Sequence, residues 1–369
     1  MVNSFLRGAV AALLVIVALC FSARSYALEK EVSNSALPSL VESIRFPNDL
    51  FFCGAKVPME QQQVRERLEK ELLLALWSRP QVILWLKRGA RYFPHIESVL
   101  KKEGLPDDLK YLAVVESGLR PHAGSSKGAV GFWQFMGATG KMNGLRVDSK
   151  VDERRNLFKS TTAACRYLKK LNSLFGSWPL AAAAYNMGEN GLASERKVQG
   201  AVDYYSLYLP LETQRYVFKI IAAKLIMKNA EDYGFRLSKA DLYPVLAFDR
   251  VNIDSPAQIP LTVISQSAQV SFKAVKDLNP EIRGYYLSKG KSSILIPKGT
   301  AKGFKERFAK LLKQWKKENI TRLHVVRKGE NLTTIAKRYE MSLASLLRLN
   351  RLTRKSFIHP GDRLVVARE

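Results

Sequence analysis

Cysteine and histidine are scarce in this chain of 369 residues, with three of the first and four of the second. Cys20, Cys53 and Cys165 lack the short paired spacings of a zinc site or a thioredoxin-like redox pair, so neither a metal nor another cofactor is expected. Acidic residues are also few: 33 Asp and Glu stand against 59 Lys and Arg, a formal charge of +26. The amino-terminal apolar run, Ala9 to Phe21, has only 13 residues. A helix that spans a bilayer needs roughly 20, which disfavours a permanent anchor. Arg7 before the run and Ser25-Tyr26-Ala27 after it, with small residues at the two positions a signal peptidase reads, mark residues 1–27 as an export signal. Leu19 stands where a lipoprotein signal has a small residue, which argues against lipidation of Cys20. Export leaves Cys53 and Cys165 in an oxidising compartment, where they either pair or stay thiols. Cys165, inside the helical pattern Thr162 to Leu168, is expected as an inert buried thiol.

What is present excludes disorder. With 47% hydrophobic residues the chain can form packed cores, and its length suits two or three units at roughly 100–200 residues each. Strong positive charge is the usual mark of a phosphate-backbone binder. An exported basic protein instead meets anionic envelope polymers and lipid surfaces, towards which the same field steers it, so no nucleic-acid partner is expected. The expected location is the periplasm or envelope, with association to a membrane left open.

Helix-type patterns follow one another from Lys56 to Ala240. Trp85 to Tyr92, Pro106 to Glu116, Lys159 to Leu174, Pro179 to Tyr185 and Leu211 to Met227 each carry apolar residues at three-and-four spacing. The reading is an N-terminal helical segment at 28–84 and a helical domain at 85–240. Short β-type runs then begin, as in Val245 to Phe248 and Ile294 to Ile296. The tail holds an internal repeat: Leu261-Thr262-Val263-Ile264, Val270-Ser271-Phe272 and Leu278-Asn279 align without a gap, at an offset of 71, with Leu332-Thr333-Thr334-Ile335, Met341-Ser342-Leu343 and Leu349-Asn350. Each copy, at 245–298 and 322–367, reads as strand, helix, helix, strand. Between them, at 299–321, Phe304, Phe308, Leu311, Leu312 and Trp315 recur at helical spacing among lysines. This basic amphipathic helix is either a linker laid on a neighbouring domain or a peripheral contact to membrane or anionic polymer.

The second copy opens with His324-Val325-Val326-Arg327-Lys328-Gly329-Glu330-Asn331-Leu332, turns at Leu349-Asn350 and closes with Ile358-His359-Pro360-Gly361-Asp362-Arg363-Leu364. It resembles the LysM module, and the resemblance implies a glycan partner containing N-acetylglucosamine. The first copy lacks the Gly-Glu opening and the Pro-Gly-x-x-Leu ending and reads as a degenerate relative.

Chemistry is sought in the helical part. Leu109, Leu112, Ala113 and Glu116 fall on one helix face, so a glutamate occupies the apolar stripe. Desolvation there raises a carboxyl's pKa, as a general acid working near neutral pH requires. Ser117-Gly118 ends the helix and sets the side chain at the lip of a cavity; a salt-bridged structural glutamate is the alternative. Downstream, Ser125-Ser126-Lys127-Gly128-Ala129-Val130-Gly131-Phe132-Trp133-Gln134-Phe135-Met136 is a glycine-punctuated turn entering an aromatic and amide cluster. Flat rings and amides suit pyranose and N-acetyl groups, although Trp133 and Tyr185 also suit a core. Ala181 to Ala184 permit close helix approach and lead to Tyr185-Asn186-Met187-Gly188.

Taken in order with Leu211-Glu212-Thr213-Gln214-Arg215-Tyr216-Val217, these motifs resemble the soluble-lytic-transglycosylase catalytic domain of glycoside hydrolase family 23. The resemblance covers residues 85 to 367, and Val151-Asp152-Glu153-Arg154-Arg155 with Ser160-Thr161 resembles its D-type subgroup. It implies a mainly α fold, with a lysozyme-like helical domain followed by small α+β modules. It also implies a peptidoglycan lytic transglycosylase: Glu116 as acid and base, Ser125, Gln134 and Met136 in the substrate cleft, Tyr185 placed on the catalytic carboxyl with Asn186 beside it, and Glu212 as a second cleft carboxylate. Gly137 and Asn156-Leu157 depart from the usual Pro and Asp-Pro, which concerns loop stiffness. Ordinary glycoside hydrolysis places two carboxyl groups about the bond. The reaction implied here uses one: Glu116 protonates the oxygen between N-acetylmuramic acid and N-acetylglucosamine, then deprotonates the sugar's own C6 hydroxyl, closing a 1,6-anhydro ring. A goose-type lysozyme and a non-catalytic wall-binding protein are the alternatives.

Overall fold

The computed structural model describes residues 39–255, 257–318 and 322–366. The export signal at 1–27 lies outside them. Thirteen α-helices and eight short strands occur among the described residues, arranged as two compact units, residues up to 134 with 160–245, and residues 135–159 with those from 246 onward.

The first unit is helical apart from the small antiparallel pair β1 (Phe51–Phe52) and β2 (Ala55–Lys56). Its helices are α1 (Gln62–Trp77), α2 (Arg79–Lys102), α3 (Lys110–Ser117), α5 (Leu157–Phe175, which enters this unit at Ser160), α6 (Trp178–Met187), α7 (Glu189–Gln199) and α8 (Leu211–Lys228); α4 (Gly137–Met142) belongs to the other unit. Helix α8 is buried all round, through Tyr216, Val217, Phe218, Ile220, Ile221, Ala222, Ala223, Leu225 and Ile226, as expected for a core helix. Helices α1, α2, α3 and α6 pack on it. Ala181, Ala182, Ala183 and Ala184 of α6 are fully buried, so methyl-sized side chains let α6 approach its neighbour closely. On the other side Glu71 of α1 holds Arg215 of α8 through two hydrogen bonds of 2.5 and 3.1 Å. Cys53 and Cys165 are free thiols, each with its pKa pushed up by burial.

The second unit contains two small α+β modules. In the first, β3 (Phe248–Ser255) pairs antiparallel with β6 (Gly290–Pro297), and β4 (Ile259–Pro260) with β5 (Tyr286–Leu287), around α9 (Leu261–Ala268) and α10 (Phe272–Leu278). Helix α11 (Phe304–Glu318) lies on this module, with Phe304, Phe308, Leu312 and Trp315 packed against its core. The amphipathic helix is therefore laid on a neighbouring domain, and the apolar face available for lipid is already used. In the second module β7 (Arg322–Val325) pairs with β8 (Arg363–Val366) across α12 (Leu332–Arg338) and α13 (Leu343–Asn350). The repeated Leu-Asn pair has one structural task in both copies. The Asn279 amide donates to the Leu295 carbonyl at 2.7 Å and accepts from the Leu295 N–H at 2.9 Å. Asn350 does the same with Val365 at 2.8 and 2.6 Å, so each asparagine ties the second helix to the closing strand.

Residues 135–159, inside the span read from sequence as one helical domain, pack with the first module. Val151 forms a β-bridge with Ile282, which draws this segment to that module's edge.

Candidate active site

Glu116 lies in the last turn of α3, which ends at Gly118 in the left-handed conformation (φ 58°) that glycine adopts without steric cost. The Gly118 carbonyl is held by Arg88 of α2 at 3.0 Å. A hydrogen-bond circuit then joins all four motifs. The Ser117 hydroxyl donates to the Phe132 carbonyl at 2.8 Å, fixing the end of α3 to the glycine-rich turn. The Tyr185 hydroxyl donates to the next carbonyl, of Trp133, also at 2.8 Å. Thr213 of α8 donates to the side-chain oxygen of Asn186 at 2.8 Å. One turn further along α8, the Tyr216 hydroxyl donates to Glu116 Oε1 at 2.5 Å and closes the ring. The circuit explains why the motifs carry Ser, Tyr-Asn and Thr at those positions: each is a donor or acceptor aimed at the next.

Glu116 is half-buried at the end of α3, and its carboxyl pKa rises to about 7. Burial is the main cause; the Tyr216 hydrogen bond opposes it, the Glu212 charge adds to it and Lys219 offsets it. Burial also pushes the phenols of Tyr185 and Tyr216 well above their ordinary range, so both remain hydrogen-bond donors. A salt-bridged structural glutamate does not fit, since Glu116 forms no ion pair among the described residues.

The other expected site residues take varied positions. Glu212 is exposed in the first turn of α8, near enough to Glu116 to act on its charge. Ser125 is exposed, and its hydroxyl accepts from the Ala129 N–H at 3.1 Å, closing the glycine-rich turn. Gln134 sits at φ 47°, a backbone region uncommon for non-glycine residues. Its amide nitrogen donates to the Gly131 and Ala123 carbonyls at 2.8 and 3.2 Å, so it braces its own loop. Met136, exposed at the start of α4, falls in the other unit. Two phenols stand by the Glu116 carboxyl: Tyr216 donates to it, and Tyr185, whose hydroxyl donates to the Trp133 carbonyl, is close enough for the Glu116 charge to act on it. Trp133 offers no face to a sugar: it is fully buried and its indole N–H donates to Thr161 at 3.0 Å. Tyr216 was visible in the fourth motif, four residues beyond Glu212, but nothing local in the sequence marks its partner 100 residues away. No group of three or more His, Cys, Asp or Glu among the described residues suits a metal ion.

Comparison with known proteins places the chain in a family. Residues 94–207 match the model of the transglycosylase SLT domain, residues 324–367 that of the LysM domain, and residues 247–313 that of the LysM-like domain of lytic transglycosylase MltD. The membrane-bound lytic murein transglycosylase D of Escherichia coli strain K12 is 33% identical over 342 residues, covering 88% of this chain and 74% of the relative. The chain belongs to the lytic murein transglycosylase D family. A putative tributyltin chloride resistance protein of an Alteromonas species is 34% identical over 110 residues, 29% of this chain and 53% of that protein. For a family member in this sense, the fold is the mainly α arrangement expected, a lysozyme-like helical domain with α+β LysM modules. The LysM opening of this D-type chain is also explained: Glu330 accepts from the Arg327 N–H at 2.8 Å and meets His324 Nε2 at 2.6 Å, and these bonds hold its carboxyl at about 2.

Proposed function

We propose that this chain is a peptidoglycan lytic transglycosylase that cleaves the bond between N-acetylmuramic acid and N-acetylglucosamine without water. The observation that carries this reading is the single carboxyl of Glu116, near pKa 7 and held by Tyr216. At that value both protonation states are populated near neutral pH, which suits a group that must be acid first and base second. Glu116 gives its proton to the glycosidic oxygen as the C1–O bond breaks. Its carboxylate then takes the proton of the C6 hydroxyl while that oxygen bonds to C1, so the 1,6-anhydro ring closes and Glu116 is protonated again. The C6 hydroxyl is tethered to the reacting ring, and its high effective concentration favours it over solvent. Glu212, exposed on the first turn of α8, supports a role in glycan contact and in raising Glu116's pKa. Asn186 and the Ser125 and Gln134 loop are assigned to the same cleft.

The LysM module at 324–366 binds the N-acetylglucosamine-containing strand and brings the enzyme to the wall. The export signal puts the mature chain in the envelope. The relative is named membrane-bound; no helix among the described residues is long and apolar enough to cross a membrane. The test is mass spectrometry of muropeptides released from purified sacculi by the mature protein and by Glu116→Gln. Products lighter by one water, without a reducible end and missing with the variant, are expected. Reducible ends refute the water-free route, and equal release by the variant refutes the role of Glu116.

A further inference from the structure

The two repeat copies differ at one face. Arg250 lies opposite Leu295 and Leu323 opposite Val365, and these are the closing-strand residues that the two asparagines hold. Val251 therefore takes the place of His324. The offset of 71 puts Ile259, Ser267 and Ala268 where the LysM module has Glu330, Arg338 and Tyr339. In the LysM module these four side chains form a polar cluster: His324 meets Glu330 at 2.6 Å and the Tyr339 hydroxyl at 3.0 Å, and Arg338 pairs with Glu330. In the first module the cluster is replaced by a core. Ile259 and Ala268 are buried, Val251 packs with them, and α11 lies over α9, its Arg307 donating to the Ser267 carbonyl at 2.6 Å. The polar surface of the LysM module has been exchanged for an apolar one that the chain covers itself.

A second face of this module is also occupied, by residues 148–158. The Asp152 N–H donates to the Glu281 carbonyl at 2.8 Å and the Arg283 N–H to the Lys150 carbonyl at 2.9 Å, either side of the Val151–Ile282 bridge. Phe158 packs edge-on to Phe248 at 5.4 Å between ring centres, and the Arg250 guanidinium lies over the same Phe158 ring at 5.6 Å. Beside them the Asn156 amide donates to Glu281 Oε1 at 2.8 Å, with the two residues 9% and 8% exposed. Buried polar pairs of this kind are costly to leave incomplete. An aspartate in place of Asn156 would set two carboxylates against each other, whereas an amide supplies the donor that Glu281 needs.

We propose that the module at 248–318 is a dedicated docking partner for residues 148–158 of the same chain and not a reader of glycan, and that Asn156 and Glu281 are positioning residues for cleavage. They act through segment 135–159, which is continuous with the catalytic helices at Gln134 and, through α5, at Ser160. The activity arm of the test rests on the transglycosylase reading; the docking arm does not.

The experiment uses the full-length protein as wild type, Asn156→Asp, and the double variant Asn156→Asp with Glu281→Gln. The single variant keeps the oxygen that accepts the Lys159 N–H at the start of α5, so the helix cap survives. Three readouts are taken: kcat and KM on purified sacculi, pelleting with sacculi, and hydrogen exchange with and without a β-1,4 N-acetylglucosamine oligosaccharide. The single variant is expected to lose kcat by about tenfold, the effect of placing like charges in a buried contact, with pelleting unchanged and faster exchange at Asp152 and Arg283. The double variant restores kcat to within about threefold, because Glu281→Gln supplies an amide donor for the carboxylate that Asn156→Asp introduces. The oligosaccharide protects amides in 324–364 and none in 248–297. Wild-type kcat in the single variant, a double variant no better than the single, or sugar protection in 248–297 overturns the proposal. If the wild type releases no anhydro product, the transglycosylase reading fails, and exchange at Asp152 and Arg283 still decides the docking.

Discussion

Replacing Glu116 by glutamine is expected to stabilise the protein in a pH-dependent way while abolishing lysis. Burial raises this carboxyl from 4.5 to about 7 in the folded state. Between those values the native protein holds a proton that the unfolded chain has released, so stability is fully present below about 4.5 and is lost as pH rises through 7. At about 1.4 kcal/mol per pH unit the loss is about 3 kcal/mol by pH 8. Glutamine carries no such cost. Its replacement of the carboxyl brings a constant offset from the altered Tyr216 contact and removes the pH-dependent part. For a helical unit of this size about 3 kcal/mol corresponds to roughly 6–12 °C in Tm. The assay is calorimetric unfolding of both proteins from pH 4 to 8, following the transition of the helical unit. The variant's Tm minus that of the wild type should be smallest near pH 4, climb between about 4.5 and 7, and level off towards pH 8. A difference that does not change with pH, or that falls as pH rises, refutes the assignment of a desolvated carboxyl at Glu116.

Three further perturbations follow from the same contacts. Tyr216→Phe removes the hydrogen bond that holds the Glu116 pKa down, so the alkaline limb of kcat/KM should move up by on the order of one pH unit, given about 1.5 kcal/mol for a hydrogen bond to a charged group; an unmoved or lowered limb contradicts the contact. Ser117→Ala leaves the Phe132 carbonyl without its donor and should cost about 1–3 kcal/mol in the unfolding of the helical unit together with a fall in kcat at unchanged sacculus pelleting. Asn350→Ala strips three hydrogen bonds from α13 and β8; pelleting should be lost while cleavage of short soluble glycan strands continues, and retention of pelleting would show that the tie between helix and strand is dispensable.

Much of this was legible because the informative patterns are short in sequence. The position of Glu116 follows from four residues of one helix face. The repeat is an offset, and its asparagines recur because each copy must tie its last helix to its last strand. What was not legible depends on residues far apart. Tyr185 and Tyr216 are both phenols at helix positions close to small or apolar residues, and only the packing of α6 and α8 shows that the Tyr216 hydroxyl donates to the carboxyl while that of Tyr185 donates to Trp133. Trp133 reads equally as a sugar platform or a core filler until Thr161, 28 residues later, takes its indole N–H. The apolar stripe of α11 matches lipid as well as protein until Val251 and the rest of the module core are in place to receive it. Asn156 reads in sequence as a change in loop stiffness, and its partner Glu281 is 125 residues away.

The circuit through Ser117, Phe132, Trp133, Tyr185, Asn186, Thr213, Tyr216 and Glu116 bears on how a single carboxyl serves two proton transfers. An acid that protonates a leaving oxygen and then deprotonates a hydroxyl on the same sugar must serve two nearby positions, so any reorientation between the steps would add to the barrier. One oxygen of Glu116 is fixed by Tyr216, while its backbone is fixed through Ser117 to the turn that Tyr185 also holds. The carboxyl is thereby held before substrate arrives, and the cost of ordering it falls on folding and not on the reaction. Burial sets the proton affinity near 7, and the Tyr216 donor limits how far it rises, which keeps the base form available for the second step. Desolvation alone would give a better acid reservoir and a scarcer base. The hydrogen bond that lowers the pKa is therefore part of the chemistry, and the fourth motif carries a tyrosine where a phenylalanine would fill the same space.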